Sequence, residues 1–375
     1  MSSISISAII LSAGLSSRMG AFKPLLPLGK GTIIKQAILN FQQAGIREIH
    51  VVLGNRAHDI VSHLDDMDVA WVVNQDFHKE MLTSVQIGVN QLNPESSAFF
   101  LQPVDIPLIR ERTLQALMRA HAAQPHGIIY PVFHDTRGHP PLIPRKYAKR
   151  IIAYRGKGGL RGCLQVYEKN AFNIPVVDEG ILMDMDNRDQ YDRIKRRFKK
   201  WALPSEAECL AMLAVRFDHS DPMIQHAQAV AGLARRMATK LNATGYPIDE
   251  ELVTVCGYLH DIGKGIKGHA HIGADMLINF GYPEVAAIVA THMDLAFSAS
   301  DDITEKEVLF LADKKVSGTK IMALNERLSH KLKQVADNPD GRAAAERRLG
   351  TAMKIEERIQ SILGGKNGNS IKISG

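Results

Sequence analysis

Two groups of residues in this chain have the types and spacing to act on phosphates. The first opens near the N-terminus. The β-prone run Ile6 to Leu11 gives way to Ser12, Ala13, Gly14, Leu15, Ser16 and Ser17, and then to Arg18 and Lys23. Small residues let bare backbone N–H groups approach an anion, and the two cations can neutralise a triphosphate. A strand, a small-residue loop and fixed cations form a phosphate cradle at the carboxyl end of a strand in an α/β sheet. The plainer alternative is a strand-to-loop turn with two surface cations. The stretch is neither a Walker loop, which needs Gly-Lys-Ser/Thr opening a helix, nor a Gly-x-Gly-x-x-Gly dinucleotide fingerprint. Further on, the apolar run Phe99-Phe100-Leu101 leads through Gln102 into Pro103-Val104-Asp105-Ile106-Pro107. That puts one carboxylate, Asp105, in a stiffened loop after a buried strand. There it can bind a Mg²⁺ that bridges phosphate oxygens; alone it reads as a turn residue or helix cap. Asp184 and Asp186, in Met183-Asp184-Met185-Asp186-Asn187-Arg188-Asp189, share a face if the stretch is a strand, and one of them can supply a second Mg²⁺ ligand. The alternative is an acidic turn capping a helix over 190–198.

The second group lies in the C-terminal half. His260-Asp261 is an adjacent pair, preceded by His226 and followed by Asp313, with His269 and His292 as further candidates. A neighbouring His and Asp can reach into one site, and the carboxylate can bridge two ions. Mixed imidazole and carboxylate ligands suit Mn²⁺, Fe²⁺, Zn²⁺ or Mg²⁺ and leave positions open, so that a bound ion can activate water for attack on a phosphate. Lys264 is either a partner for a substrate phosphate or a solvated helix-end lysine; His219 and His271 read as surface or helix-cap residues.

These residues need two different scaffolds. Strand candidates 6–11, 49–53, 69–73, 98–102 and 127–132 alternate with helical patterns over 32–44, 82–92 and 111–122, which argues for a doubly wound, mostly parallel α/β sheet. From about residue 204 strand signals vanish. Stretches 206–216, 222–241, 250–261, 270–280, 283–292, 304–316, 319–336 and 341–363 read as helices, an all-α bundle. The organisation expected is a first domain over 1–198, a basic linker at 199–204 after the run Lys195 to Lys200, a helical domain over 205–363, and a disordered tail over 364–375. Two domains suit 375 residues. The net charge of +6 fits an anionic substrate and is no argument for nucleic-acid binding. Three scattered cysteines suit a reducing compartment. With no leader-like or membrane-length apolar run, the expectation is a soluble, cytoplasmic protein with no membrane or specific nucleic-acid partner.

The first string, Leu11 through Gly14, Ser16, Arg18, Met19, Gly20, Lys23 and Leu25-Leu26, resembles the Leu-x-x-Gly-x-Ser-x-Arg-Met-Gly-x-x-Lys-x-Leu-Leu signature of the nucleotidyltransferases that load a nucleoside monophosphate onto molybdopterin. The resemblance covers about 190 residues. It implies NTP binding by Leu11, Ala13, Gly14, Ser16, Arg18, Lys23, Asn74 and Ser84, with Arg18, Lys23 and Asp105 catalytic and Mg²⁺ on Asp105 and Asp186. Asp186 is preferred over Asp184 because the family's ligand is the second Asp. Gly138, His139 and Pro140 resemble the family's Gly-His-Pro, and Gly156 to Gly162 its Gly-Asp-x-Gly segment with Lys157 in place of the Asp. Both are read as flexible loops holding the pterin. Glu80-Met81 departs from a small, Gly-containing stretch. In this family cytidylyl transfer goes with Leu-Ala-Ala-Gly and guanylyl transfer with Leu-Ala-Gly-Gly. Leu11-Ser12-Ala13-Gly14 matches the cytidylyl type at Ala13, so CTP is favoured over other NTPs.

His226, His260-Asp261 and Asp313 resemble the HD superfamily of metal-dependent phosphohydrolases, and His269 and His292 match its two-metal forms. That implies catalysis by His260 and Asp261 on a phosphate ester or nucleotide. The combined expectation is a bifunctional enzyme: Mg²⁺-dependent transfer of CMP from CTP to molybdopterin cofactor, plus phosphate hydrolysis at one or two divalent ions. Two alternatives stay open: a sugar phosphate or other phosphorylated acceptor, and an HD domain that senses a nucleotide instead of hydrolysing it.

Overall fold

The computed structural model describes residues 5–15, 19–218, 220–298 and 300–364. Ser16, Ser17, Arg18, His219 and tail residues 365–375 lie outside the described residues. The chain divides into two compact units, 1–201 and 202–375. Among the described residues no helix is long and apolar enough to cross a membrane.

The first unit is built on a mixed, mostly parallel sheet. Its strands are β1 (Ile6–Ser12), β2 (Glu48–Leu53), β3 (Ala70–Val73), β4 (Ala98–Pro103), β5 (Ile128–Phe133), β6 (Thr136–Arg137), β7 (Leu142–Pro144) and β8 (Ala171–Pro175). The spatial order is β8-β5-β7-β4-β1-β2-β3, with β6 on β5. β1 is an interior strand, between β4 and β2, because its run of Ile, Ala and Leu can be buried on both faces. Its register pairs Ser12 with Leu53 on β2 and Leu11 with Pro103 on β4. The loops carrying Ala13, Gly54 and Asp105 therefore leave the sheet at one edge.

Helices cover both faces: α1 (Ile33–Gln43), α2 (Ala57–Val61), α3 (Met81–Asn90), α4 (Glu111–Ala123), α5 (Ala148–Ala153), α6 (Gly159–Gln165) and α7 (Arg188–Lys199). Ile9, Leu11, Phe99 and Leu101 join Val85 and Val89 of α3 in one buried cluster. Phe100 meets Phe41 of α1, ring centroids 5.7 Å apart. Each such burial contributes about 1.5–3 kcal/mol.

Five readings of this unit are corrected. β7 went unread because it is three residues long and ends in Pro144; it pairs antiparallel with both β4 and β5. Asp184 and Asp186 are not on a strand. They lie between a 3₁₀ turn at Glu179–Leu182 and α7, where Asn187 and Gln190 form a capping box that starts the helix at Arg188. The Gly-rich segment read as a flexible loop becomes α6 from Gly159 onward. The Gly138-His139 segment is pinned as well, its two backbone N–H groups donating to the carbonyls of Pro131 and Ile181 at 2.9 Å each. The basic run is the last part of α7 and is not wholly solvated: the largely covered Arg197 pairs with Glu179 at 2.7 Å, and Trp201 stacks on Arg110 and Arg197.

The second unit holds α8 (Glu206–Ala214), α9 (Pro222–Ala243), α10 (Glu250–Leu259), α11 (His269–Asn279), α12 (Pro283–Val289), α13 (Glu305–Lys315), α14 (Leu324–Gln334) and α15 (Pro339–Gly364). It is not free of strands. Val316–Ser317 and Lys320–Ile321 pair antiparallel around Gly318, whose φ of +59° suits glycine. The helix read from residue 319 therefore starts only at Leu324. α10 and α12 also end earlier than read, which leaves His260-Asp261 and His292 in the turns that follow them.

α9 and α10 approach closely because Ala231 faces Gly257. A Cβ on Gly257 would sit 2.5 Å from Ala231 Cα and 2.8 Å from its N, both backbone atoms that no rotamer change moves. Gly257→Ala is expected to cost about 1–3 kcal/mol by overpacking, read as a lower urea midpoint for the second unit's transition in the full chain. An unchanged midpoint would contradict this account of the packing.

Candidate functional site

In the first unit, Lys23 opens the 3₁₀ turn Lys23–Leu25. Its Nζ lies 2.9 Å from Asp186 Oδ1 and 3.5 Å from Asp105 Oδ2. Three residues far apart in sequence thus meet at the edge of the sheet where β1 and β4 end. Burial pushes the Asp105 carboxyl above its ordinary value; Lys23 opposes this, and the charge of Asp186 adds to it. Asp184 turns elsewhere, its Oδ1 accepting from Gln190 Nε2 at 2.8 Å.

Sequence reasoning missed what holds Asp105 in place. Gln102, 1% exposed, donates from Nε2 to the carbonyls of Ile106 at 2.5 Å and Pro103 at 3.1 Å, which closes the turn around Asp105. The available signal was a lone amide at the end of an apolar strand, since a buried amide must find partners.

A cavity of about 300 Å³ beside this cluster is lined by Leu11, Ala13, Gly14, Lys23, Ser84 and Asp105, among others. Ser16 and Arg18 lie outside the described residues. Asn74 is fully buried. It donates to Thr83 Oγ1 and Ser84 Oγ at 2.9 Å each and accepts from the N–H of Asp76, so its amide ties the loop after β3 to the start of α3. Met81, at the sequence departure, is 67% exposed and lines the cavity mouth.

A larger cavity of about 930 Å³ shares Leu11, Met81 and Pro103 with the first and extends to Tyr130, Gly138, His139 and Arg161. Pro140, joined to His139 by a cis peptide bond, is buried. Burial lowers the His139 pKa, and its Nδ1 is buried without a hydrogen-bond partner. Arg137 lies at the rim, its guanidinium 4.4 Å from the Tyr130 ring centroid and paired with both oxygens of Glu168.

In the second unit the six candidates meet in one cluster. α9 supplies His226, the turn after α10 supplies His260 and Asp261, α11 begins at His269, the turn after α12 supplies His292, and the end of α13 supplies Asp313. Asp261 is central: Oδ2 lies 3.4 Å from His260 Nε2, and Oδ1 lies 3.2 Å from His269 Nε2 and 3.5 Å from His292 Nε2. Asp313 Oδ1 lies 3.7 Å from His226 Nε2 and 3.6 Å from His260 Nε2.

Three imidazoles are held from behind by backbone carbonyls. Nδ1 of His226, His260 and His292 donates to the carbonyls of Gly318, Gly257 and Val289 at 2.8, 2.9 and 2.7 Å. A carbonyl only accepts, so Nδ1 carries the proton and Nε2 points its lone pair into the cluster. The Nε2 atoms of His260 and His292 are buried without a hydrogen-bond partner. Among the described residues two groups offer ligand atoms within 4.8 Å of one another: His226, His260 and Asp261, and Asp261, His269 and His292. Buried, orphaned imidazole nitrogens facing carboxylates fit divalent cations, with Asp261 common to both positions.

Electrostatics agree with an ionised carboxylate pair. Burial would raise the Asp261 and Asp313 carboxyls, yet His260, His292 and Lys264 around Asp261, and Lys314 with the imidazoles of His226, His260 and His292 around Asp313, hold both well below the usual range. Burial works against the charged form of His260, but the two carboxylates outweigh it and raise its pKa. A cavity of about 490 Å³ opens onto His226 and Asp313 and is lined also by Phe217, Met223, Lys264 and Arg327.

An α/β sheet on which Lys23, Asp105 and Asp186 converge, followed by a helical His/Asp cluster, is the arrangement expected of a nucleotidyltransferase joined to an HD-type unit. The family comparisons agree. Residues 8–171 match the MobA-like NTP transferase domain and residues 223–316 match the HD domain. The chain therefore carries a MobA-like NTP transferase domain followed by an HD domain, and it is an enzyme of the nucleotidyltransferase class.

Among known proteins it is similar to the molybdenum cofactor cytidylyltransferase of Escherichia coli (strain K12), 28% identical over 195 residues, covering 52% of this chain and 97% of that protein. It is also similar to ribonuclease Y of Oleidesulfovibrio alaskensis, 31% identical over 141 residues, covering 36% of this chain and 25% of that one. The solved structure of Rv0371c from Mycobacterium tuberculosis H37Rv is 22% identical, covers 52% of this chain and 100% of its own, and has a TM-score of 0.46.

Proposed function

We propose that the first domain, residues 1–198, transfers CMP from CTP to a molybdopterin-type acceptor, and that the helical domain, residues 205–363, hydrolyses a phosphate ester or nucleotide. The observation that carries the transferase reading is the convergence of Lys23, Asp105 and Asp186 on one point beside the loop after β1. Two adjoining cavities there share Leu11, Met81 and Pro103, so a nucleotide and an acceptor can sit side by side.

The step is a substitution at phosphorus. An acceptor phosphate oxygen forms a bond to the α-phosphorus, the bond from that phosphorus to the bridging oxygen of the β-phosphate breaks, and pyrophosphate leaves with the electron pair. Lys23 places a cation against the phosphates, with Arg18 as its expected companion. Gln102 keeps the Asp105 turn closed, and Asp105 and Asp186 are the residues to hold a Mg²⁺. When bound, Mg²⁺ neutralises charge on the phosphate oxygens. The rest is positioning and charge stabilisation. Ala13, at the cytidylyl-type position, supports CTP, as does the similarity to a cytidylyltransferase.

In the helical domain, His226, His260, Asp261, His269, His292 and Asp313 are the residues to hold one or two ions such as Mn²⁺, Fe²⁺, Zn²⁺ or Mg²⁺, which supply Lewis acidity and an activated water. Lys264 lies at the mouth of the adjoining cavity, where an incoming phosphate would pass. No disulfide joins Cys163, Cys209 and Cys256, which suits the reducing cytoplasm.

The acceptor is tested by offering molybdopterin cofactor, sugar 1-phosphates and other phosphorylated small molecules with CTP and following nucleotidyl transfer. Transfer to molybdopterin cofactor is expected; transfer only to a sugar phosphate would overturn the acceptor and leave the transferase chemistry standing.

A further inference from the structure

Two lysines touch the carboxylates of the His/Asp cluster, and they do so in opposite ways. Lys264 has a half-exposed side chain, and its Nζ sits 2.5 Å from Asp261 Oδ2. That same oxygen faces His260 Nε2, so Lys264 stands where a bound cation would stand and must yield to it. Lys314 is 7% exposed. Its Nζ donates to Asp313 Oδ2 and, at 3.1 Å, to the backbone carbonyl of His292, and it lies 4.8 Å from the Phe310 ring centroid. The other oxygen, Asp313 Oδ1, faces His226 and His260. Lys314 thus occupies the rear oxygen of the carboxylate and leaves the front one to a metal.

This arrangement has two physical consequences. A carboxylate with both oxygens available can chelate an ion; one whose rear oxygen is held by a buried ammonium binds through a single oxygen and leaves a coordination position open for water or substrate. Burying an ammonium is costly unless it is fully partnered, and Lys314 has a carboxylate, a carbonyl and an aromatic face. Those partners come from two places. Asp313 borders the ligand group of His226 and His260, whereas His292 belongs to the group of Asp261 and His269. One side chain therefore spans both metal positions without blocking either.

We propose that Lys314 is a positioning residue that fixes Asp313 as a one-oxygen metal ligand and ties it to the turn carrying His292, so that the two metal positions form together. The proposal rests on reading the cluster as a two-metal centre. It adds to that reading a residue outside the set of ligands.

The test is Mn²⁺ titration of the full chain, following affinity, stoichiometry and the electron paramagnetic resonance signal of an exchange-coupled ion pair. The variants are Lys314→Met, Lys314→Gln and Lys264→Met, each checked by thermal melting. The wild-type chain is expected to bind two ions with a coupled signal. Lys314→Met is expected to bind them about 10- to 100-fold more weakly and to lose the coupling while melting as a folded protein. Lys314→Gln keeps an N–H donor for Asp313 without the charge, and is expected to be weakened less. It provides the reading if the Met variant does not fold. Lys264→Met is expected to keep both ions. A folded Lys314 variant with wild-type affinity and a coupled signal would overturn the role of Lys314. A wild-type chain that binds no Mn²⁺ or only one ion would instead overturn the two-metal reading, and the proposal with it.

Discussion

Replacing Lys23 with alanine is expected to slow nucleotidyl transfer by about 100- to 1,000-fold, the usual loss for one preorganised group facing charge that develops in the transition state. Lys23 is placed for a large effect. It touches Asp186 at 2.9 Å and Asp105 at 3.5 Å, and its side chain is only 12% exposed. Without it, two carboxylates face each other in a partly buried site where burial and mutual repulsion already push the Asp105 carboxyl up. The triphosphate would then meet net negative charge. Lys23→Arg keeps the charge with a different shape and is expected to fall between alanine and wild type. The measurement is kcat/KM at fixed Mg²⁺ for the three proteins. An alanine variant within about threefold of wild type would remove Lys23 from the transferase machinery.

The second large effect is expected at Asp261. Its two oxygens serve two groups of imidazoles, His260 through Oδ2, and His269 and His292 through Oδ1. Asparagine has the same shape but offers one oxygen and one NH₂, and an NH₂ cannot ligate a cation. Asp261→Asn is therefore expected to reduce tightly bound divalent metal from two ions per chain, one for each ligand group, to at most one. The affinity of any remaining ion should fall by about 10- to 100-fold or more. Metal analysis after exhaustive dialysis, with the thermal melt as a check on folding, gives the result. Retention of two ions at unchanged affinity would mean that Asp261 does not bridge.

The parts of this architecture that could be read in the sequence are those where local pattern and tertiary role coincide. β1 and β4 are continuous apolar runs that stop abruptly, β1 at small residues and β4 at Pro103 before Asp105, because strands buried on both faces need no alternation. The helical character of the second unit shows in its periodicity, and the six His and Asp candidates could be named because each is a distinctive residue type in a recurrent order.

What stayed hidden depends on backbone atoms or on short elements. Gly318 matters through its carbonyl, which holds His226, and no residue type announces a carbonyl. The hairpin around it is two residues per strand, too short for a period. Asp184 and Asp186 alternate as a strand would, but the capping box of Asn187 and Gln190 fixes them as a helix approach instead. The basic run from Lys195 reads as solvated, yet Glu179 and Trp201 take Arg197 into the fold. Lys314 looks like any helix-end lysine until Asp313 and His292 are brought to either side of its ammonium.

The most direct test of the central claim is pyrophosphate release by the full chain with molybdopterin cofactor and Mg²⁺, comparing CTP, GTP and ATP. Release with CTP, and little with the other two, is the predicted result. It would join the cluster of Lys23, Asp105 and Asp186, the cavity beside it and the choice of base at Ala13 in one activity. Release with GTP alone would keep the chemistry and overturn the base. Absence of release with every nucleotide would contradict transfer to this acceptor.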